Sequence, residues 1–292
     1  MTLPLVVGVD GSGPSLAAVD WAAAEAARHG AGLRAVYASP WVRYEAALPP
    51  TGSERTDERL LGEHIVASAV ERARERAPGV RVTGDVVGED PAAALVAAGD
   101  RAYALVTGER GHGELGDLLL GSVAAAVAAR ARCPVVVVRG TPEAAGGAHG
   151  RILLGLGEPG TSSAGAVDFA YREAEARDCV LDVVHAWQTL LPHASGEGGG
   201  PGGPARTAEE HAFTLLDTAL DAASARHPRV RTRRRAVEGP AGTVLVDGSA
   251  DADLVVVGAH GGTGRFGVRL GRTSRWLLHH ARCPVAIVPH RR

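Results

Sequence analysis

Lysine and asparagine are both absent from the 292 residues, so every basic side chain is Arg or His. That excludes a Walker-A phosphate loop and a Schiff-base mechanism, because each needs a lysine amine. Cysteine is scarce. Cys133, Cys179 and Cys283 are odd in number and fit no metal-ligand spacing, so neither a metal site nor a disulfide framework is expected. Cys133 and Cys283 each precede a proline and an apolar run, and read as small apolar residues where a helix meets a strand. No run of about 18 apolar residues occurs, so no membrane-spanning helix and no membrane partner are expected. The opening Met1-Thr2-Leu3-Pro4 has no basic segment before the first apolar run, which points to a cytoplasmic protein without a signal peptide. Acidic and basic residues nearly cancel, at a net charge of −2, so nucleic acid is not expected as the main partner.

What the chain does contain, it contains twice. Ala131-Arg132-Cys133-Pro134-Val135 returns unchanged as Ala281-Arg282-Cys283-Pro284-Val285, 150 positions later. A repeat with a period near domain size means duplicated domains rather than a solenoid. The expected division is a first domain over 1–140, a linker over 141–150 that is flexible by its Gly-rich composition, and a second domain over 151–292. Within the first copy, apolar strand-like runs at 5–9, 33–38, 80–87, 105–107 and 135–138 alternate with helical patterns at 16–29, 58–77, 91–99 and after 122. Alternating strands and helices predict an α/β fold, a doubly wound, mostly parallel sheet in each copy. In such sheets a ligand sits beyond the C-terminal strand ends, where the winding reverses.

The most informative stretch follows the fourth strand. Gly108-Glu109-Arg110-Gly111, nine residues, then Gly121-Ser122 form a G-x2-G-x9-G-[S/T] pattern. Glycines let a backbone approach an anion closely, and a helix starting near Ser122 would add unpaired N–H groups and a positive dipole end. The second copy repeats the pattern with Gly258, Gly261 and Gly271, followed by Arg272, Thr273 and Ser274.

This pattern, with its tandem copy, resembles the ATP-binding subset of the universal stress protein family. The resemblance implies a five-stranded sheet of order 3-2-1-4-5 in each domain, Rossmann-like or flavodoxin-like in type. It also implies ATP, with or without Mg²⁺, held in the first domain by Val9, Asp10, Ala38, Thr107, Gly108, Arg110, Gly111, Gly121, Ser122, Val123 and Ala124. Asp10 would lie beside ribose and adenine. The matching second set is Leu156, Ala186, Val257, Gly258, His260, Gly261, Gly271, Arg272, Thr273 and Ser274. No catalytic residue and no metal ligand is implied.

The second set departs from the pattern. The position matching Asp10 is Gly157 or Glu158, and Arg272 stands where the first copy has a hydroxyl. The first site is therefore expected to be the stronger. The family also associates through its last strand, so either the tandem copy or a second chain in a homodimer would supply that contact.

Two classes of function follow: a nucleotide-binding regulatory module of the stress response, and a slow ATPase or phosphotransferase. A nucleotide-free interaction scaffold is a third. The only acidic groups near the first site are Asp10, Glu109 and Glu114, without a supporting lysine or histidine, and this favours binding over catalysis. One run is left over. Arg231, Arg233, Arg234 and Arg235 fall on the strand expected at 230–237, where arginines at a sheet edge would block edge-to-edge pairing.

Overall fold

The computed structural model describes residues 2–42, 58–110, 120–157, 163–188, 204–259, 263–264, 267–268 and 270–290, with the backbone alone at 204–207, 263–264 and 267–268. By contact the chain falls into two units, Met1–Arg139 with Gly261–Leu270 and Gly140–His260 with Gly271–Arg292.

In the first unit β1 (Leu5–Gly8), α1 (Gly13–Arg28), β2 (Leu33–Ala38), α2 (Glu58–Arg76), β3 (Val82–Val87), α3 (Pro91–Gly99), β4 (Ala104–Gly108), α4 (Ser122–Arg130) and β5 (Val135–Val138) follow in order. The sheet runs β3-β2-β1-β4-β5, and each neighbouring pair is parallel. The expected order is therefore found. Its cause is legible in β4 and β5, where every residue is buried, so the strands need helices on both faces. Two helices start at strong caps. Ser12 Oγ accepts from the Ser15 N–H ahead of Pro14, and Asp90 Oδ1 accepts from the Ala93 N–H ahead of Pro91. By contrast, α4 starts at Gly121 with no side-chain cap. The run expected as a strand from residue 80 pairs only from Val82.

Next come α5 (Pro142–Gly146), β6 (Arg151–Leu156), α6 (Ala164–Arg177), β7 (Val180–Trp187), α7 (Pro204–Arg226), β8 (Thr232–Glu238), α8 (Ala241–Gly248) and β9 (Leu254–Gly258). Thr263–Gly264 (β10) then pairs antiparallel with Gly267–Val268 (β11), and α9 (Arg272–His280) and β12 (Val285–Val288) complete the chain. The second unit's sheet is also parallel, β8-β7-β6-β9-β12, which is the first unit's order repeated. The segment expected as a flexible linker is instead structured. Thr141 Oγ1 accepts from the Ala144 N–H, Pro142 sits in the first turn, and Gly147 closes the turn at φ 83°. His149 then donates its N–H to the buried Asp253 at 2.8 Å. Glycine-rich composition suggests freedom, but the capping residues between the glycines decide the conformation here.

Candidate functional site

At the C-terminal ends of β1, β2 and β4 the first unit opens into a cleft of about 550 Å³. This is the point where the winding reverses, because β1 lies between β2 and β4. The volume is in the range of small-molecule sites. Ten of the eleven residues expected in the first site line it: Val9 and Asp10 after β1, Ala38 at the end of β2, Thr107, Gly108 and Arg110 around the end of β4, and Gly121, Ser122, Val123 and Ala124 at the start of α4. The eleventh, Gly111, lies outside the described residues.

Each part of the cleft has a local cause. Asp10 is half-buried, and its Oδ1 accepts the Ser12 N–H at 2.9 Å, which turns the chain into α1 through Gly11 at φ 83°. Gly121 brings the chain back against the strand end, its N–H donating to the Glu109 carbonyl at 2.8 Å. A Cβ on Gly121 would stand 3.3 Å from that carbonyl oxygen. Because Gly121 has no side chain to cap α4, its first-turn amides at Ser122, Val123 and Ala124 stay free of side-chain caps and the helix presents its positive end to the cleft. Arg110 adds a cation there, held by Glu109 Oε1 at 3.2 Å, while Arg139 reaches Glu109 Oε2 at 3.4 Å.

Gly108, which lines the cleft, also has a packing task. A Cβ on it would lie 2.6 Å from the Pro14 carbonyl, so the missing side chain lets β4 close against the start of α1. Thr107 is 5 % exposed, and its Oγ1 has no hydrogen-bond partner among the described residues. A buried hydroxyl without a partner is costly, which marks the cleft floor as unfinished without a ligand or water.

The sequence reading missed Gly8, Ser15, Val36, Tyr37, Pro91, Leu95 and Leu120, which also line the cleft. Pro91 and Leu95 come from α3, far from any motif. Tyr37 carried one signal, its place beside Ala38 at a strand end. Its hydroxyl donates to Glu58 Oε1 at 2.6 Å. Burial, reinforced by that carboxylate, pushes the phenol up to about 12. Tyr37 is therefore a neutral donor at physiological pH.

The second set is arranged differently. Leu156 and Val257 are buried strand residues and Ala186 lies near the end of β7. Gly258 ends β9, Gly271 precedes α9 without a side-chain cap, Arg272 is exposed, and Thr273 is half-buried. Ser274, 2 % exposed, donates to the Gly258 carbonyl at 3.2 Å, so its hydroxyl closes the strand–helix junction. His260, Gly261 and Glu158 lie outside the described residues, and Gly157 is exposed. By strand register His185 occupies the position of Tyr37. Its Nδ1 lies 3.1 Å from the Leu156 carbonyl, which can only accept, so that nitrogen carries the proton. A separate cleft of about 490 Å³ in this unit, lined by Arg151, Arg235, Glu238, Asp247 and Asp251 among others, contains none of the second set.

Comparison with known proteins agrees with this architecture. Residues 1–139 and 149–289 each match the universal stress protein family. A universal stress protein of Mycobacterium tuberculosis is 35 % identical over 298 residues, covering 97 % of this chain and 96 % of its own. One from Mycolicibacterium smegmatis is 32 % identical over 292 residues, covering 97 % and 96 %. Among solved structures, a universal stress protein from Archaeoglobus fulgidus superposes with a TM-score of 0.70 at 13 % identity, covering 99 % of this chain and 98 % of that one. Two copies of one fold, each matched by the same family, and relatives similar along almost their whole length lead to one conclusion: the chain belongs to the universal stress protein family.

Proposed function

We propose that the cleft of the first unit binds an adenine nucleotide, ATP, and that its occupancy regulates the protein in a cytoplasmic stress response. The observation that carries this reading is the uncapped start of α4, which lines the cleft beside Arg110. Backbone amides and a guanidinium at one point suit a phosphate chain. Asp10, half-buried on the same cleft, suits ribose hydroxyls, and the apolar stretch formed by Val36, Ala38 and Leu95 suits a base. Thr107 adds a buried hydroxyl in need of a partner. The domains of this reading are 1–140 and 151–292, joined by 141–150.

The reading is one of binding without turnover. Mass spectrometry of the freshly purified, denatured protein should release an adenine nucleotide, and calorimetry on stripped protein should show saturable binding of ATP. Gly121→Val should abolish that binding while leaving the far-UV spectrum unchanged, because its side chain would fill the approach to the α4 amides. Unchanged affinity would show that the phosphates lie elsewhere. Sustained phosphate release from ATP by the purified protein would instead make it an enzyme.

A further inference from the structure

β8 is the terminal strand of the second unit's sheet, and it carries the arginine run that the nucleotide site does not use. Its hydrogen bonding can be read residue by residue. The Leu181 N–H donates to the Arg231 carbonyl, and the Gly239 N–H donates to the Trp187 carbonyl. In a parallel ladder the bonding residues alternate, so the odd-numbered residues of β8 face β7 and the N–H and C=O groups of Thr232, Arg234 and Ala236 face outward. No other strand among the described residues pairs with that outer edge.

The side chains alternate as well, across the two faces of the sheet. Arg234 reaches Asp217 of α7 at 2.9 Å, which places the even-numbered side chains on the α7 face. Arg235 lines a cleft with Thr243, Val244 and Asp247 of the α8 region, which places the odd-numbered side chains on the opposite face. Arg231, Arg233 and Arg235 therefore form a row at about 6.7 Å intervals beside the open edge. All three are exposed, and none of their side chains has an ion pair or hydrogen bond among the described residues. Arg81, Thr83 and Asp85 occupy the corresponding row at β3 of the first unit, where Asp85 is paired with Arg34. Arg81 matches Arg231, so the row is basic at one position in the first copy and at all three in the second.

We propose that β8 is a docking edge for an extended acidic segment of a partner protein, which adds to the sheet as a further strand. A strand with Glu or Asp at every second position matches the arginine row in period, while its backbone meets the outward N–H and C=O groups of Thr232, Arg234 and Ala236. A partner with unlike chemistry is turned away by the same row, since arginines on an open edge repel a second basic or apolar strand. Nucleic acid fits less well, because β8 has no aromatic side chain for a base to stack on, and the β7 residues in register on the arginine face are Asp182, Val184 and Ala186.

The test uses the full chain and a capped, fluorescent peptide of alternating Glu and Val, long enough to span β8. Saturable binding is expected, weakened about tenfold when Arg231, Arg233 and Arg235 are all changed to Gln, as three cross-strand charge pairs are lost. Ala236→Pro removes one outward N–H without touching the β7 ladder and should weaken binding to a similar degree. A peptide methylated on alternate backbone nitrogens should bind as poorly to the unaltered protein, which keeps the result clear if the proline variant is unstable. No binding of the alternating peptide overturns the proposal. So does equal binding by the methylated peptide or by one with its glutamates in a block, since either would mean attraction by charge alone. Tighter binding of a single-stranded oligothymidylate would assign the edge to nucleic acid instead.

Discussion

Gly108 and Gly258 stand at matching places in the two copies and do different work. Gly108 is closed in by the Pro14 carbonyl, whereas a Cβ on Gly258 would meet nothing nearer than His290 Cε1 at 3.8 Å. Gly108→Ala should destabilise the first unit by about 1–3 kcal/mol, since backbone must shift, while Gly258→Ala should cost little. Urea unfolding of the two variants checks this, and equal losses would mean that the close approach at Pro14 is absorbed elsewhere. The cleft's tyrosine makes a second residue-scale test. Tyr37 holds its proton up to about 12 when folded, against 10.0 for a free tyrosine, mainly through burial and then through Glu58. The folded chain thus binds this proton more tightly than the unfolded chain. Its contribution to stability is complete below about pH 10 and lost as pH rises toward 12. Tyr37→Phe should flatten that part of the alkaline decline. A melting-temperature series from pH 9 upward that falls equally in both proteins would show that Tyr37 is not responsible.

At the scale of elements, the helices differ in how their first turns are satisfied. α3 is capped by Asp90 and α5 by Thr141, whereas α4 and α9 begin at glycines that offer no side chain. An uncapped helix leaves N–H groups for water or for a ligand. Asp90→Ala should therefore cost about 1 kcal/mol whether or not nucleotide is present. Ser122→Ala should leave the unliganded protein nearly unchanged and weaken ATP by about 1–2 kcal/mol. Denaturation and calorimetry on the two variants separate these effects, and a stability loss in Ser122→Ala without nucleotide would make its hydroxyl structural. The alternation of elements was legible because each helix and strand carries its own period and punctuation. α5 was not, since its glycines outweighed the Thr141-Pro142 start when composition alone was considered.

For the whole molecule, duplication did not produce two identical arrangements at the strand ends. The first copy brings Asp10, Thr107 and Ser122 to one cleft. The second has Val257 at the Thr107 position and an exposed Arg272 in place of Ser122, and it spends Ser274 on the Gly258 carbonyl. One tightly held nucleotide per chain is expected, lost in Gly121→Val and retained in Gly271→Val. Calorimetric stoichiometry decides this, and two equal sites per chain would mean that the substitutions do not matter. The sequence by itself determined the duplication, the parallel strand–helix alternation and much of the lining of the first unit's cleft, because repeats, buried valine runs and glycine spacing are local features read along the chain. Only the tertiary structure decided that Tyr37, Pro91 and Leu95 complete the cleft, that Gly108 makes room for Pro14, and that β8 turns three arginines and alternate backbone groups to an open edge. Those facts depend on which strand ends meet and which face each side chain takes, and long-range packing sets both.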